Sequence, residues 1–135
     1  MANIESLRFT KTHEWMALQG TDGVVGMTQR AQEETSDVVF VELPKLNKTL
    51  QAGQEAAVIE SVKAAFSIYA PVAGTVVRVN DRLAKEPALL NAAPYDDGWM
   101  FALTLTNPRD AEGLMSYAQY QAWITEEKQS GGVHA

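Results

Sequence analysis

Short β-branched and apolar runs, each bounded by glycine or proline, recur through most of this chain and leave little room for long helices. The clearest is Phe101 to Thr106. Phe101, Leu103 and Leu105 alternate with Ala102, Thr104 and Thr106, a period of two that puts one apolar face on a core and one polar face in water. Val38-Val39-Phe40-Val41 and Thr75-Val76-Val77-Arg78-Val79 are β-branched runs of the same kind. Gly53, Gly74 and Asp97-Gly98 supply turns beside them, and Pro44, Pro71, Pro87 and Pro94 fall where strands start or stop. The pattern predicts a mainly β fold, a barrel or sandwich, and 135 residues suffice for one such domain with a single core.

Helices are expected only at the periphery. Thr28 caps a short helix over Gln29 to Glu34, and Asn80 caps another turn that Pro87 ends. Ser116-Tyr117-Ala118-Gln119 is a capping box, and Tyr117, Tyr120, Trp123 and Ile124 recur at helical spacing behind it, a stripe expected against the sheet. Past Thr125 the chain turns polar and Gly-rich. Residues 129–135 therefore read as a flexible tail behind a single domain of residues 1–128.

Composition removes whole classes of chemistry. With no cysteine, disulfide scaffolds, Cys-ligated zinc, iron–sulfur clusters and thiol nucleophiles are excluded. Histidine occurs only as His13 and His134, too few for a transition-metal cluster in the core. Seventeen acidic against eleven basic residues give a net charge of −6, which repels phosphate backbones and anionic membrane surfaces and favours basic patches on partner proteins. No basic leader opens the chain, and no apolar run approaches the roughly 18 residues of a membrane span. The expectation is a soluble protein of a reducing compartment, the bacterial cytoplasm or, for a processed eukaryotic form, an organellar matrix. Gly20, Gly23 and Gly26 lack the dinucleotide-binding spacing and read as turn glycines; no Walker-type run or nucleophile elbow is present. Glu33-Glu34 and Asp96-Asp97 are adjacent in sequence, so their side chains diverge and read as solvated surface.

One constellation remains. Val58-Ile59-Glu60-Ser61-Val62-Lys63-Ala64-Ala65, followed by Ile68-Tyr69-Ala70-Pro71-Val72-Ala73-Gly74, reads as a hairpin with Lys63 near its tip. Periodicity by itself makes Lys63 an exposed hairpin lysine. Ala64 and Ala65 leave steric room around that amine, as an enzyme that acylates it requires. Glu60 to Ala64, with Ile68 to Gly74 behind it, closely resembles the lipoyl-lysine hairpin of the glycine cleavage H-protein family. Further family motifs match in order: Thr12-His13-Glu14-Trp15, Val25-Gly26-Met27-Thr28 with Ala31-Gln32, Val38 to Pro44, Asn91 with Pro94-Tyr95, and Gly98-Trp99. The likeness spans residues 7 to 125. Biotinyl domains share the architecture but flank their lysine with methionines, where Val62 and Ala64 stand here.

The resemblance implies a barrel-sandwich hybrid of two sheets, the lipoyl/biotinyl-like fold, with short peripheral helices and a C-terminal helix. It implies lipoate in amide linkage to Lys63, Glu60 as a recognition residue for the attachment enzyme, and an arm cleft at Thr12, Glu14 and Ser67. His13 reads either as part of that cleft or as a packed histidine. The implied partners are a pyridoxal-phosphate glycine decarboxylase (P protein), an aminomethyltransferase (T protein), dihydrolipoyl dehydrogenase (L protein) and lipoate attachment enzymes, with this chain as carrier rather than catalyst. The sequence also departs from the family pattern. Ser36 and Asn47 stand where glycine is common, Glu34 replaces a frequent histidine, and Phe66-Ser67 replaces Ser-Asp. Ser67 thus removes a charged acceptor, which Glu34 restores only if its helix faces the arm. These departures leave open a divergent H-like protein that acts in lipoate relay to 2-oxoacid dehydrogenases.

Overall fold

The computed structural model describes residues 3–129; Ser130 to Ala135 of the expected tail, with His134, lie outside the described residues. In chain order the elements are β1 Arg8–Phe9, β2 Glu14–Gln19, β3 Asp22–Met27, α1 Gln29–Thr35, β4 Val38–Glu42, β5 Thr49–Leu50, β6 Glu55–Ser61, β7 Ala65–Tyr69, β8 Gly74–Val79, α2 Arg82–Lys85, α3 Leu89–Ala92, β9 Phe101–Leu105 and α4 Tyr117–Gln129. Two antiparallel sheets result, one of order β1-β2-β3-β9-β8-β5 and one of order β4-β6-β7, and neither closes on itself. This is the two-sheet, mainly β architecture the sequence predicts, with helices at the edges.

The sheets enclose one core. Met16, Val25, Val41, Ile59, Ile68, Val76, Phe101 and Leu103 meet there, drawn from both sheets. Each such side chain removed from water stabilises the fold by roughly 1.5–3 kcal/mol. A second cluster lies on the other face of the larger sheet, where Phe9, Trp15, Val24 and Ala102 pack beneath Tyr120, with Tyr117, Trp123 and Ile124 at its margin. The aromatic stripe of α4 therefore does lie on the sheet. The cluster corrects the expectation that β9 turns one face to water: Ala102 is fully buried within it.

Local chemistry explains the helix ends. Thr28 accepts from the Ala31 amide and starts α1, and Ser116 and Gln119 exchange the two bonds of a capping box at α4. Asn80 departs from its expected role. Its side-chain amide donates to the carbonyls of Asp97 and Trp99, and α2 begins at Asp81 without a side-chain cap. Two of the expected turn glycines are also reassigned. Gly20 does turn, at φ 65°, but Gly23 and Gly26 lie inside β3. A Cβ on Gly26 would stand 2.5 Å from the Trp15 ring, its cross-strand partner, so glycine here makes room for an indole. Gly74 likewise starts β8, where a Cβ would meet the Thr104 carbonyl at 2.6 Å.

Candidate functional site

The β6–β7 hairpin places Lys63 at its tip. Val62 and Lys63 are the central residues of a tight turn closed by the Ser61 amide on the Ala64 carbonyl at 2.9 Å. The Ser61 hydroxyl accepts from the amides of Lys63 at 3.1 Å and Ala64 at 3.2 Å, an arrangement serine favours at the first position of a turn. The backbone carrying Lys63 is thus fixed while its side chain is exposed. Glu60, also exposed, stands opposite Phe40 of β4 and Ala65 of β7, one row below the tip.

At the far end of β7 lies a cavity of about 280 Å³. Thr12, Glu14 and Tyr69 contribute to its wall, with apolar surface from Phe9, Pro71 and Met115. Glu14, at the start of β2, is fully buried. Its Oε1 accepts from the hydroxyls of Thr10 at 2.6 Å and Thr12 at 2.5 Å, and its Oε2 from the Tyr69 amide at 3.1 Å. Burial pushes the Glu14 carboxyl above its ordinary value, and those three donors oppose the shift. A carboxylate accepts in about four directions, so one on Oε2 is left for a further donor. The bond to Tyr69 also ties the free edge of β7 to β2, which fixes the cavity relative to the hairpin.

Thr12 and Glu14 are therefore brought together, and Ser67 is not part of this cavity's lining. Ser67 lies two residues nearer the tip on β7, where its hydroxyl donates to the Glu55 carboxylate at 2.5 Å. His13 takes the other side of the loop. At φ 72° it turns away from its neighbours, so its Nδ1 meets the Tyr120 hydroxyl at 2.7 Å and its Nε2 lies 3.5 Å from Glu127. Burial lowers the His13 pKa, outweighing the carboxylates of Glu127 and Glu34, and Arg30 adds to the lowering. Glu34 points into this group as well: it pairs with Arg30 at 3.1 Å, and its carboxylate, that of Glu127 and a His13 nitrogen all lie within 4.8 Å. Arg30 also pairs with Glu127 at 2.9 Å, so one guanidinium bridges the two carboxylates of the cluster. Glu33, Asp96 and Asp97 are exposed, as expected of solvated surface.

Two participants escape a reading of the sequence. Thr10 shares Oε1 of Glu14 because the turn over residues 10–13 folds it back onto the start of β2, which no strand periodicity marks. Glu55 is found only through the register of β6 and β7, which sets it opposite Tyr69 and beside Ser67.

Comparison with known proteins agrees with this geometry. Residues 7–127 match the family model described as Glycine cleavage H-protein. The chain is 48% identical over 130 residues to the glycine cleavage system H protein of Sodalis glossinidius, covering 94% of this chain and 98% of that one. It is also 48% identical over 121 residues to the H protein of Nitratidesulfovibrio vulgaris, with 90% and 94% covered. The crystal structure of a glycine cleavage system H protein from Mycobacterium marinum superposes with a TM-score of 0.80 at 28% identity, covering 90% of this chain and 98% of that one. No helix among the described residues is long and apolar enough to cross a membrane.

Proposed function

The chain belongs to the glycine cleavage H-protein family, and on that premise we propose that it is the lipoyl carrier of a glycine cleavage system, with lipoate in amide linkage to Lys63. The observation that carries the reading is the alignment of an exposed lysine at the tip of β6–β7 with a buried carboxylate at the other end of β7. Ala65 to Tyr69 spans about 13 Å at a rise of about 3.3 Å per residue, a distance suited to an extended lysyl–lipoyl arm.

The residues fit such a group. Phe9, Pro71 and Met115 offer an apolar wall, and Glu14 retains an acceptor direction on Oε2 for an ammonium. When bound, lipoate would supply a disulfide: one sulfur would take the aminomethyl group from the decarboxylase (P protein) as the S–S bond breaks and the other becomes a thiol, and once the aminomethyltransferase (T protein) has removed the group, dihydrolipoyl dehydrogenase (L protein) would reoxidise the resulting dithiol. The chain itself does no chemistry in this scheme. Ser61 fixes the backbone at Lys63, Glu14 holds positive charge, and Thr10 and Thr12 hold Glu14. The apolar wall limits the access of water to a hydrolysable cargo. Glu55, beside Ser67, keeps a carboxylate on the path between tip and cavity where Ser67 offers only a hydroxyl. Residues 1–128 serve as the carrier domain, Glu60 serves recognition by the attachment enzyme, and a cytoplasmic location suits a bacterial protein of this kind.

The departures at Ser36 and Asn47 do not favour the relay alternative. Both have positive φ, 64° and 68°, so they keep the backbone that glycine would adopt rather than open a new cleft, Ser36 at a cost in strain and Asn47 as a residue that tolerates this conformation. Intact-mass and peptide mapping of protein from its native cells should show one lipoyl group, on Lys63. Lys63→Arg should abolish both the modification and glycine cleavage with the melting temperature unchanged. Lipoate on another lysine, or activity in Lys63→Arg, overturns the assignment.

A further inference from the structure

The surface beside Lys63 is unusually apolar. Val62 is 69% exposed at the tip itself, and Val39 and Phe40 on β4 are 55% and 52% exposed. Phe40 stands directly opposite Glu60, on the outward face of the smaller sheet. Val39 sits in the bulge between Val38 and Phe40, and the Val62 amide donates to the Asp37 carbonyl, so the start of β4 is tied to the tip. The three apolar side chains therefore neighbour Lys63 along a fixed backbone. Exposed Asp37, Glu42 and Glu60 surround them. An apolar centre inside a charged rim is the make-up of a protein-docking surface.

Resting on the carrier reading above, we propose that Val39, Phe40 and Val62 form the docking surface for the enzyme that acylates Lys63, and that this enzyme presents an apolar contact ringed by basic side chains. The choice of occupant follows from where the chemistry happens. In acylation the Nζ lone pair attacks the carbonyl carbon of an activated lipoyl group, a mixed anhydride. The new C–N bond forms, the bond to the activating group breaks and takes its electron pair, and Nζ loses a proton to a base on the enzyme. All of this takes place at Nζ, so the acylating enzyme must enclose the hairpin tip and cover what borders it. Enzymes that act on the distal sulfurs meet their target an arm's length away and need no contact with the tip. The acidic rim selects a basic partner, and Glu60 becomes one part of a larger footprint.

The test uses the full-length apo protein, a lipoate attachment enzyme, lipoate and ATP. In Val39→Ser/Phe40→Ser, KM for the apo protein should rise about tenfold or more, the loss of a central apolar contact, with kcat unchanged. Phe40→Leu should recover most of the affinity. Because both residues are exposed, the melting temperature should stay at the wild-type value. The double variant, lipoylated to completion by long incubation, should accept the aminomethyl group from the decarboxylase at the wild-type rate. An unchanged KM in acylation overturns the proposal, and so does a loss confined to decarboxylase loading, which would give the surface to that enzyme instead. If wild-type protein takes no lipoate on Lys63, the carrier reading itself falls, and this inference with it.

Discussion

Glu14→Gln separates the two roles of the buried carboxylate. The side chain is fully buried and accepts from Thr10, Thr12 and the Tyr69 amide. A carboxamide of the same shape can keep its oxygen on the two hydroxyls, but its NH2 group then faces the Tyr69 N–H. That donor is left unsatisfied, at a cost of about 1–3 kcal/mol. The cost is offset because the variant no longer buries a charge that burial disfavours, as the raised Glu14 pKa shows. Stability should therefore change little. Cargo retention should change far more, since a charge-assisted bond to an ammonium contributes about 1.5–3 kcal/mol, a factor of roughly ten to a hundred in occupancy. The assay loads the lipoylated protein with methylamine and follows release of ammonia without the transferase, beside urea melts of the same samples. Glu14→Gln should release ammonia about tenfold faster or more, with its melt close to wild type. Equal release rates would refute the argument that Oε2 holds the ammonium.

Two further outcomes follow from the loops that flank the site. The His13 pKa is lowered by burial, so the unfolded chain binds its proton first and stability falls as pH drops from 6.5 toward the folded value. Melting temperatures between pH 6.5 and 5 should show this slope in wild type and a weaker one in His13→Asn, which tolerates the positive φ; equal slopes would contradict it. Ser36→Gly should relieve backbone strain at φ 64°, stabilising by about 1 kcal/mol net of glycine's greater freedom when unfolded, or about 3–5 °C in melting temperature. A lower melting temperature would show that the strain is absent.

Much of this protein is local in origin, and the sequence carries what is local. Alternation marks β9, the β-branched runs mark β4 and β8, and hydroxyl caps mark α1 and α4, because each depends on neighbours a few residues apart. The hairpin with Lys63 at its tip is legible for the same reason: strand, small residues and strand are contiguous. What no window of sequence holds is which faces are covered. Ala102 is buried only because distant residues gather in a second cluster on the outer face of the larger sheet, and Gly26 is required only because Trp15 lies across it from β2. The same holds at the site. Only resemblance assigns Glu14 to a cleft until the edge of β7 supplies the Tyr69 amide, and Glu34 reads as a substitute charge until α1 carries it to Arg30 and His13. Side-chain periodicity fixes which residues share a face of one element; long-range packing decides what that face meets, and so whether a carboxylate is solvated, paired or buried as a receptor for charge.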